Sequence, residues 1–296
     1  MKFRPALATA ALAIAAIPSV LRAQTDQLAA AEATIQKHID DSNADVAVSF
    51  RTLDGKSEWE FQSDQFFHAA STMKVPVMIE LFRQQKEGML DLSDSLPIHN
   101  EFHSIVDGSI FKLDPAEDSE ADLYKAEGQT RTINQLCDLM ITVSSNLATN
   151  LIIQKLGIAN IRSTVSALGA TGMQVLRGVE DQKAFDKSLN NTTTARGLQI
   201  LLTAIAQGKA VSPDASRQMM EILERQKFNE GIPAGLPAGT RVAHKTGEIT
   251  KIHHDAAIVF APRPFVLVIL VRGMADKKDS AALMAYITRR LYAAVQ

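Results

Sequence analysis

The chain has 296 residues, of which 46% are hydrophobic and 22% are charged, a composition typical of an ordinary folded protein. Its 31 basic and 33 acidic residues leave a formal charge of -2 at pH 7, without the excess of Lys and Arg that is typical of nucleic-acid-binding proteins. The single cysteine, Cys137, excludes an internal disulfide and a zinc site built from cysteine pairs. We expect it to be a buried free thiol.

The N-terminus predicts a secretory signal peptide over residues 1–23. Lys2 and Arg4 precede an apolar stretch from Ala6 to Val20, and small residues then offer a cleavage site. The apolar stretch has about 15 residues, whereas a bilayer-spanning helix needs about 20. We therefore expect residues 24–296 to be exported, to the periplasm or the medium, without stable association with the membrane. An uncleaved N-terminal anchor is the alternative.

The first part of the exported chain predicts a helix followed by a β-hairpin. From Asp26 to Asp40, apolar residues recur at steps of three and four, which indicates an amphipathic helix. Residues 45–53 and 56–62 alternate between apolar and polar side chains around Asp54-Gly55, a pattern typical of two strands joined by a tight turn.

The centre of the chain is dominated by helical patterns with almost no strand signal, and strands return at the end. Helical periodicity covers 71–86, 132–142, 146–156, 158–168, 193–206 and 213–226. Strand patterns cover 241–247, 254–261 and 264–272, and a last helix is predicted over 278–294. We therefore expect an α/β protein of the α+β type, with an antiparallel sheet of about five strands flanked by the terminal helices.

These elements predict two lobes with the active site in the cleft between them. Residues 24–70 and 228–296 would form an α/β lobe, and residues 71–227 an all-helical lobe. No Pro-, Gly- or Ser-rich linker separates them, so we expect one catalytic domain over 24–296. Residues 114–127, here called the acidic loop, hold six acidic side chains, and we interpret this segment as a solvated loop.

The first candidate for chemistry is Ser71-Thr72-Met73-Lys74 at the start of the first central helix. Helix N-termini favour anions, and Lys74 follows Ser71 by about one turn on the same face. A serine hydroxyl becomes a nucleophile when a nearby neutral amine accepts its proton. The pattern alone is common, since Ser109 to Lys112 repeats it, and a plain helix cap also explains Ser71.

Two further motifs make the pattern specific. Ser144-Ser145-Asn146 lies between two helical stretches, and Lys245-Thr246-Gly247 lies on a predicted strand. The second of these is expected by chance in roughly one chain in twenty of this size. The order Ser-x-x-Lys, Ser-x-Asn, Lys-Thr-Gly, on a helix start, an interhelical loop and a strand, indicates a serine acyl-transfer site.

Through these motifs, and the order of elements over residues 25–294, the chain resembles the class A serine β-lactamases and, more distantly, the penicillin-binding D-alanyl-D-alanine peptidases. The resemblance implies that Ser71 attacks the β-lactam carbonyl and forms an acyl-enzyme ester, with Lys74 as proton acceptor or relay. Ser144 would pass a proton to the departing nitrogen. The backbone amides of Ser71 and Glu248 would bind the oxyanion.

The same resemblance implies roles in substrate binding. Lys245 and Thr246 would bind the substrate carboxylate, and Asn146 would hold its amide side chain. Gly247, which lacks a side chain, would let the substrate lie against the strand. We expect the acidic side chain of Glu248 to weaken binding of anionic substrates, and the charge of Lys245 to lower the pKa of Lys74.

The chain departs from the class A pattern at two places. Ser145 stands where that family usually has aspartate, and we expect little effect because this side chain points away from the cleft. The family keeps a glutamate that activates the deacylating water in the loop that corresponds to residues 177–184. Glu180 is the best match, Asp181 is a weaker one, and a third alternative is that neither acts. Asn191 replaces an aspartate that commonly pairs across the neck of that loop.

No metal or organic cofactor is implied. His253-His254-Asp255 gathers metal-ligand types, but neighbours on a strand face opposite ways and cannot easily share an ion. We expect a monomer that acts on a small-molecule β-lactam, with no nucleic-acid partner.

The resemblance thus implies a serine β-lactamase and leaves two alternatives open. The altered Glu180 loop is compatible with a D-alanyl-D-alanine peptidase or esterase that releases β-lactams slowly. A third reading is a sensor domain that keeps the acyl adduct and signals.

Overall fold

The computed structural model describes residues 16–296, with side chains from residue 25 onward. Residues 1–15 of the predicted signal peptide lie outside the described residues. From residue 16 the backbone is helical, through the position of the expected cleavage and onward. Over the described residues, no helix is both long enough and apolar enough to cross a membrane.

The helices are α1 (Ala16–Ser42), α2 (Lys74–Lys86), α3 (Ile133–Thr142), α4 (Asn146–Leu156), α5 (Ile158–Ala167), α6 (Gln182–Asp186), α7 (Ala195–Ala206), α8 (Pro213–Leu223) and α9 (Lys277–Val295). Short 3-10 turns cover Ala70–Met73, Ala121–Ala126 and Pro233–Gly235. The strands are β1 (Asp45–Thr52), β2 (Glu58–Phe61), β3 (Phe67–His68), β4 (Ser95–Pro97), β5 (Phe102–His103), β6 (Ile110–Phe111), β7 (Thr130–Thr132), β8 (Thr192–Thr193), β9 (Arg241–Ile249), β10 (Ile252–Phe260) and β11 (Phe265–Arg272).

The main sheet has five antiparallel strands in the order β2-β1-β11-β10-β9, which confirms the predicted sheet. Strand β1 pairs with β11 from Asp45↔Arg272 to Thr52↔Phe265, so the two ends of the chain meet in the middle of the sheet. The predicted hairpin is present, with Gly55 at φ +69° in its turn, a conformation that favours glycine.

Strand β11 shows why the sheet holds the molecule together. Its sequence FVLVILVR is almost wholly apolar because both of its faces are buried. Phe265, Leu267 and Ile269 pack against α1 and α9, whereas Val266 and Val268 belong to a second core shared with the helices of the central region. The terminal helices therefore cover one face of the sheet, as predicted.

Helix α2 is the central element of the other core. Every residue from Lys74 to Phe82 is buried, and the helix contacts α3, α4, α5 and α8. Helix α7, which the sequence assigned to the helical lobe, packs directly on β1, β10 and β11. One apolar core runs from α2 into the sheet, so the packing does not mark a boundary between lobes. The division into lobes at residues 70/71 and 227/228 stays a prediction.

Three short strand pairs lie where the sequence showed almost no strand signal. They are β3 with β8, β4 with β7, and β5 with β6. Each strand has two or three residues, which is too short for an alternating pattern to stand out. The pair β3–β8 matters for the site, because β3 leads directly into the turn that carries Ser71.

Candidate active site

Ser71 lies in the 3-10 turn Ala70–Met73 that precedes α2, at the edge of a cleft of about 990 Å3. The turn is set by Ala70, whose φ of +44° is rare for a residue with a side chain. The N-cap residue of α2 is Met73, and no side chain caps that helix. A helix cap therefore does not explain Ser71. In the part of the chain that the structure describes, its hydroxyl has no hydrogen-bond partner.

Lys74 is completely buried beneath the cleft. Its Nζ donates to the Ser144 carbonyl oxygen at 2.7 Å, to Ser144 Oγ at 3.1 Å and to Asn146 Oδ1 at 2.8 Å. Burial lowers the pKa of Lys74 to about 7, although the nearby charges of Asp118 and Glu180 oppose this. A substantial fraction of Lys74 is thus neutral near pH 7, as a proton acceptor must be.

Ser144 Oγ lies between two amines. Lys74 Nζ and Lys245 Nζ both donate to it at 3.1 Å, and Ser144 itself has a φ of +62°, which turns its backbone sharply at the start of α4. Lys245 is fully buried, and its pKa lies well below its usual range because of burial and the charge of Lys74. The charge of Lys74 thus disfavours the charge of Lys245, whereas the low pKa of Lys74 comes from burial and not, as the sequence predicted, from the charge of Lys245.

Asn146 connects Lys74 to Glu180. Its Oδ1 accepts from Lys74, and its Nδ2 donates to Glu180 Oε1 at 2.6 Å. The side chain that was expected to hold the substrate amide is therefore largely engaged by two protein groups, with one Nδ2 hydrogen left for a ligand. Burial raises the pKa of Glu180, and the charge of Asp118 adds to that effect.

The loop that carries Glu180 is fastened by Asn150, which the sequence analysis did not single out. The Asn150 amide donates to the carbonyl oxygen of Val179 at 3.0 Å and accepts from its N–H at 2.7 Å. A Cβ at Gly178 would lie 2.5 Å from Asn150 Oδ1, so only glycine fits there unless Asn150 moves. These contacts fix the backbone next to Glu180, whose own φ is +61°.

Asp181 points away from the nucleophile. Its carboxylate accepts from Ser104 Oγ at 2.8 Å and from the N–H groups of Ile105 and Ala184. It therefore joins the β5–β6 hairpin to the Glu180 loop and caps α6. With its acceptors used in this way, Asp181 is poorly placed to activate a water at Ser71.

Amide hydrogen bonds of Asn191 close the neck of the Glu180 loop, at the position where the class A pattern commonly has an aspartate. Asn191 Oδ1 accepts from the N–H groups of Leu176 and Arg177, and its Nδ2 donates to the Arg177 carbonyl oxygen. The buried guanidinium of Arg177 donates to the carbonyl oxygens of Gly178 and Leu189 and to Asn190. Asparagine thus replaces the aspartate without leaving buried polar groups unpaired.

Strand β9 brings Lys245, Thr246 and Gly247 to the nucleophile. A Cβ on Gly247 would lie 3.2 Å from Ser71 N and 3.1 Å from Thr72 N. The missing side chain therefore lets the strand approach the Ser71 turn, which is a reason for glycine that the sequence did not suggest. Thr246 lines the cleft beside Ser71.

Glu248 has a partner that the sequence analysis missed. Its carboxylate lies 2.5 Å from Nζ of Lys277, at the start of α9, and both side chains line the cleft. The expected repulsion between Glu248 and anionic substrates did not take Lys277 into account. The positive charge of Lys277 balances the negative charge of Glu248.

The cleft thus gathers the predicted site residues: Ser71, Ser144, Asn146, Glu180, Thr246 and Glu248 line it, Lys74 and Lys245 are bonded to Ser144 beneath it, and Gly247 packs on the Ser71 turn. The acidic loop differs from expectation. Asp118 is buried, and its Oδ2 accepts from the N–H groups of Asn146 and Leu147. The aspartates of the acidic loop have similar sequence surroundings, so nothing in the sequence indicates which of them is buried.

Among residues 25–296, no group of three or more His, Cys, Asp or Glu side chains could hold a metal ion. His253 bonds to Ser280 Oγ, and His254 donates to the His68 carbonyl oxygen, so the two rings engage different partners. Cys137 is a buried free thiol.

Comparison with known proteins identifies the family of this chain. The model of the β-lactamase enzyme family matches residues 30–295. A β-lactamase from Mycobacterium tuberculosis is 25% identical over 245 residues, which cover 76% of this chain and 73% of that protein.

Solved structures share the fold of this chain. A β-lactamase from Sphaerobacter thermophilus has a TM-score of 0.75 at 24% identity, over 92% of this chain and 97% of that one. A point mutant of PBP-A, solved as an acyl-enzyme complex with penicillin G, has a TM-score of 0.74 at 26% identity, over 91% and 96% of the two chains. Since the family model covers nearly all of its described residues, the chain belongs to the β-lactamase enzyme family.

Proposed function

We propose that this protein is a serine β-lactamase of the class A type, which hydrolyses the β-lactam amide through an acyl-enzyme on Ser71. The observation that carries the proposal is the chain of hydrogen bonds from Lys245 through Ser144, Lys74 and Asn146 to Glu180, arranged beneath a cleft that Ser71 lines. Groups with shifted pKa values in one cleft are typical of acid–base catalysis.

In acylation, Ser71 Oγ forms a bond to the lactam carbonyl carbon while its proton passes to neutral Lys74, directly or through a water. A neutral lysine has two hydrogens and one lone pair. Neutral Lys74 therefore gives up one of the three hydrogen bonds that it now donates, and its lone pair accepts the proton of Ser71. As the lactam C–N bond breaks, Ser144 Oγ gives its proton to the nitrogen and is reprotonated by one of the two amines bonded to it.

Substrate binding follows from the charges around the cleft. Thr246, in the middle of β9, lines the cleft beside Ser71 and, together with Lys245 beneath the cleft, binds the carboxylate of the substrate. The free hydrogen of Asn146 Nδ2 holds the substrate amide, and the N–H groups of Ser71 and Glu248 bind the oxyanion. Because Lys277 balances Glu248, an anionic substrate meets no uncompensated negative charge there.

In deacylation, Glu180 removes a proton from the water that attacks the ester carbonyl. The contacts of Asp181 with Ser104 and Ile105 favour Glu180 over its neighbour. The raised pKa of Glu180 suits a base that must also return a proton. Its Oε1 is held by Asn146 at 2.6 Å, which leaves the other oxygen to bind the water.

A second candidate function is a penicillin-binding enzyme that acylates with β-lactams and releases them slowly. The specific observation in its favour is the likeness to PBP-A, a penicillin-binding protein by its name, at 26% identity. The two candidates share acylation of Ser71 and differ in the rate of the second step, so deacylation decides between them.

The test is a mass-spectrometric time course of residues 24–296 mixed with penicillin G, with Ser71→Ala as the blank. Rapid product release with only a transient adduct is expected, and Glu180→Gln should accumulate the adduct because the attacking water loses its base. Glu221→Gln on the exposed face of α8 is the matched control. A lasting adduct on the unaltered protein would favour the second candidate, and the absence of both adduct and product would exclude Ser71 as a β-lactam-reactive nucleophile.

We also propose that the protein acts outside the cytoplasm, as a periplasmic or secreted enzyme. The basic and apolar segments of residues 1–23 support export. N-terminal sequencing of the protein recovered from the periplasm or medium should begin near residue 24, and an intact Met1 on the recovered protein would contradict cleavage.

A further inference from the structure

The acidic loop holds a carboxylate at the start of α4, directly behind the catalytic turn. Asp118 Oδ2 accepts from the N–H groups of Asn146 and Leu147, both at 2.9 Å, from Tyr124 OH at 2.9 Å and from Ser145 Oγ at 3.3 Å. The other oxygen, Oδ1, accepts from the N–H of Glu120 at 3.0 Å. A carboxylate with this many donors, in a residue only 8% exposed, is a fixed anion and not a solvated side chain.

The position of this anion fits the needs of the turn. The first N–H groups of a helix have no partner within the helix, and the helix dipole favours negative charge there. Ser145 supplies one cap by accepting from Ala148 N at 3.2 Å, but it carries no charge. Asp118 reaches in from a different segment and satisfies the N–H groups of Asn146 and Leu147.

The residue that precedes Ser145 is the strained one. Ser144 has a φ of +62°, a conformation that surrounding contacts must hold in place. Its hydroxyl receives hydrogen bonds from Lys74 and Lys245, so a small rotation of the turn would break both. The bonds of Asp118 to Ser145 Oγ and Asn146 N grip the turn on its other side.

The same loop also reaches the other catalytic carboxylate. Asp114, at the start of this loop, and Glu180 both line the cleft. Asp118 therefore bonds to the Ser145–Asn146 part of the turn, and its charge acts on Glu180, although it lies 26 residues before Ser144 and 62 before Glu180 in sequence.

We propose that Asp118 is a positioning residue of this active site, supplying from the acidic loop the carboxylate that position 145 lacks, and that its charge acts on Lys74 and Glu180. This proposal rests on the proposed function, because it assigns Asp118 a part in the reaction of that site. Asp118 does not line the cleft and works through the residues that do.

The charge of Asp118 has a consequence that a purely structural residue would not have. It opposes the burial that lowers the pKa of Lys74, and it contributes to the raised pKa of Glu180. Removal of this charge should therefore lower both pKa values, and each base would then be deprotonated at a lower pH.

The first variant is Asp118→Asn. The amide oxygen can replace Oδ2 and accept from the N–H groups of Asn146 and Leu147. The amide nitrogen then faces the N–H of Glu120, so the variant loses the charge and that one hydrogen bond. We expect acylation by penicillin G to slow by about 10- to 100-fold, the scale of a small misplacement of catalytic groups, and the acid limb of kcat/KM to move to lower pH. Asp122→Asn, an exposed change of equal charge in the same loop, is the control and should leave both unchanged.

The second variant moves the carboxylate back to the turn. Ser145→Asp alone would place two carboxylates side by side, since Ser145 Oγ is 3.3 Å from Asp118 Oδ2, and should reduce activity. Ser145→Asp combined with Asp118→Asn should recover most of the acylation rate and return the acid limb toward its original pH. Such sign reversal in a double-mutant cycle is evidence of direct coupling.

The outcomes separate this proposal from the proposed function. If the unaltered protein acylates and Asp118→Asn neither slows acylation nor moves the acid limb, the positioning role is wrong while the β-lactamase assignment stands. If Asp118→Asn does not fold, the double variant decides: a folded, active double variant supports the proposal, and an unfolded or inactive one overturns it. If the unaltered protein does not acylate at all, both proposals fail.

Discussion

At the scale of single residues, the protonation of Lys74 controls the acylation step. Its pKa of about 7 means that the neutral form grows as the pH rises through neutrality. If neutral Lys74 accepts the proton of Ser71, kcat/KM for a chromogenic cephalosporin should rise from the acid side with an inflection near pH 7. The measurement is the hydrolysis rate at low substrate concentration between pH 4 and pH 9.

The same profile distinguishes Lys74 from Glu180 as the base of acylation. Glu180→Gln should keep an acid-limb inflection and move it to lower pH, because the charge of Glu180 raises the pKa of Lys74 and kcat/KM reports the free enzyme and the acylation step. If the inflection lies well below pH 7 and disappears in Glu180→Gln, the proton of Ser71 goes to Glu180 instead. Glu221→Gln again serves as the matched change outside the cleft.

At the scale of elements, the Glu180 loop depends on the fit between Gly178 and Asn150. A methyl group at position 178 would collide with Asn150 Oδ1, which holds the N–H of Val179 next to Glu180. Gly178→Ala should therefore slow deacylation by about 10-fold or more and acylation much less. Separate rates for the two steps, from adduct formation and decay by mass spectrometry, check this.

A glycine with free space around it provides the comparison. Gly88, at the end of α2, has a φ of +71° and no atom within 4 Å of a built Cβ. Gly88→Ala should cost some stability through backbone strain and leave both rates unchanged. Equal losses in acylation and deacylation for Gly178→Ala would contradict a specific role for the loop.

The long elements were predictable because their patterns are strong. The alternating pattern of β1 and the continuous apolar run of β11 each extend over eight residues, and both strands were predicted close to their observed bounds. The two- and three-residue strands carry no such pattern, and their pairing depends on the fold around them. Thus β3, which sets the turn of Ser71, was missed although Ser71 itself was found.

The candidate site divides in the same way. Ser71, Lys74 and Lys245 stand in short motifs whose spacing is set by one helix or one strand, so sequence alone places them. Asp118 and Asn150 act across large sequence separations, and nothing in the acidic loop distinguishes a buried aspartate from an exposed one. Contacts of this kind arise only when the folded chain supplies the N–H groups that a carboxylate or amide can satisfy.

At the scale of the whole molecule, His254 joins the main sheet to the segment that carries the nucleophile. Its Nε2 donates to the His68 carbonyl oxygen at 3.0 Å, and its Nδ1 accepts from Val271 N at 3.1 Å. His68 in turn accepts the Ala70 N–H at 3.0 Å, just before Ser71. The ring must be neutral to accept and donate in this way.

This link predicts a specific loss of stability in acid. Burial lowers the pKa of His254 to about 4 in the folded state, against an ordinary value of about 6.5 when unfolded. Between these two values only the unfolded chain takes up the proton, so the free energy of unfolding should fall by about 3 kcal/mol as the pH drops through that window.

His254→Gln, whose amide can donate to the same carbonyl, should be less stable at pH 7 but should lose about 3 kcal/mol less between pH 7 and pH 4. Urea unfolding at both pH values measures the difference, with the exposed His103→Gln as control. An acid dependence in His254→Gln equal to that of the unaltered protein would show that this ring does not carry the effect.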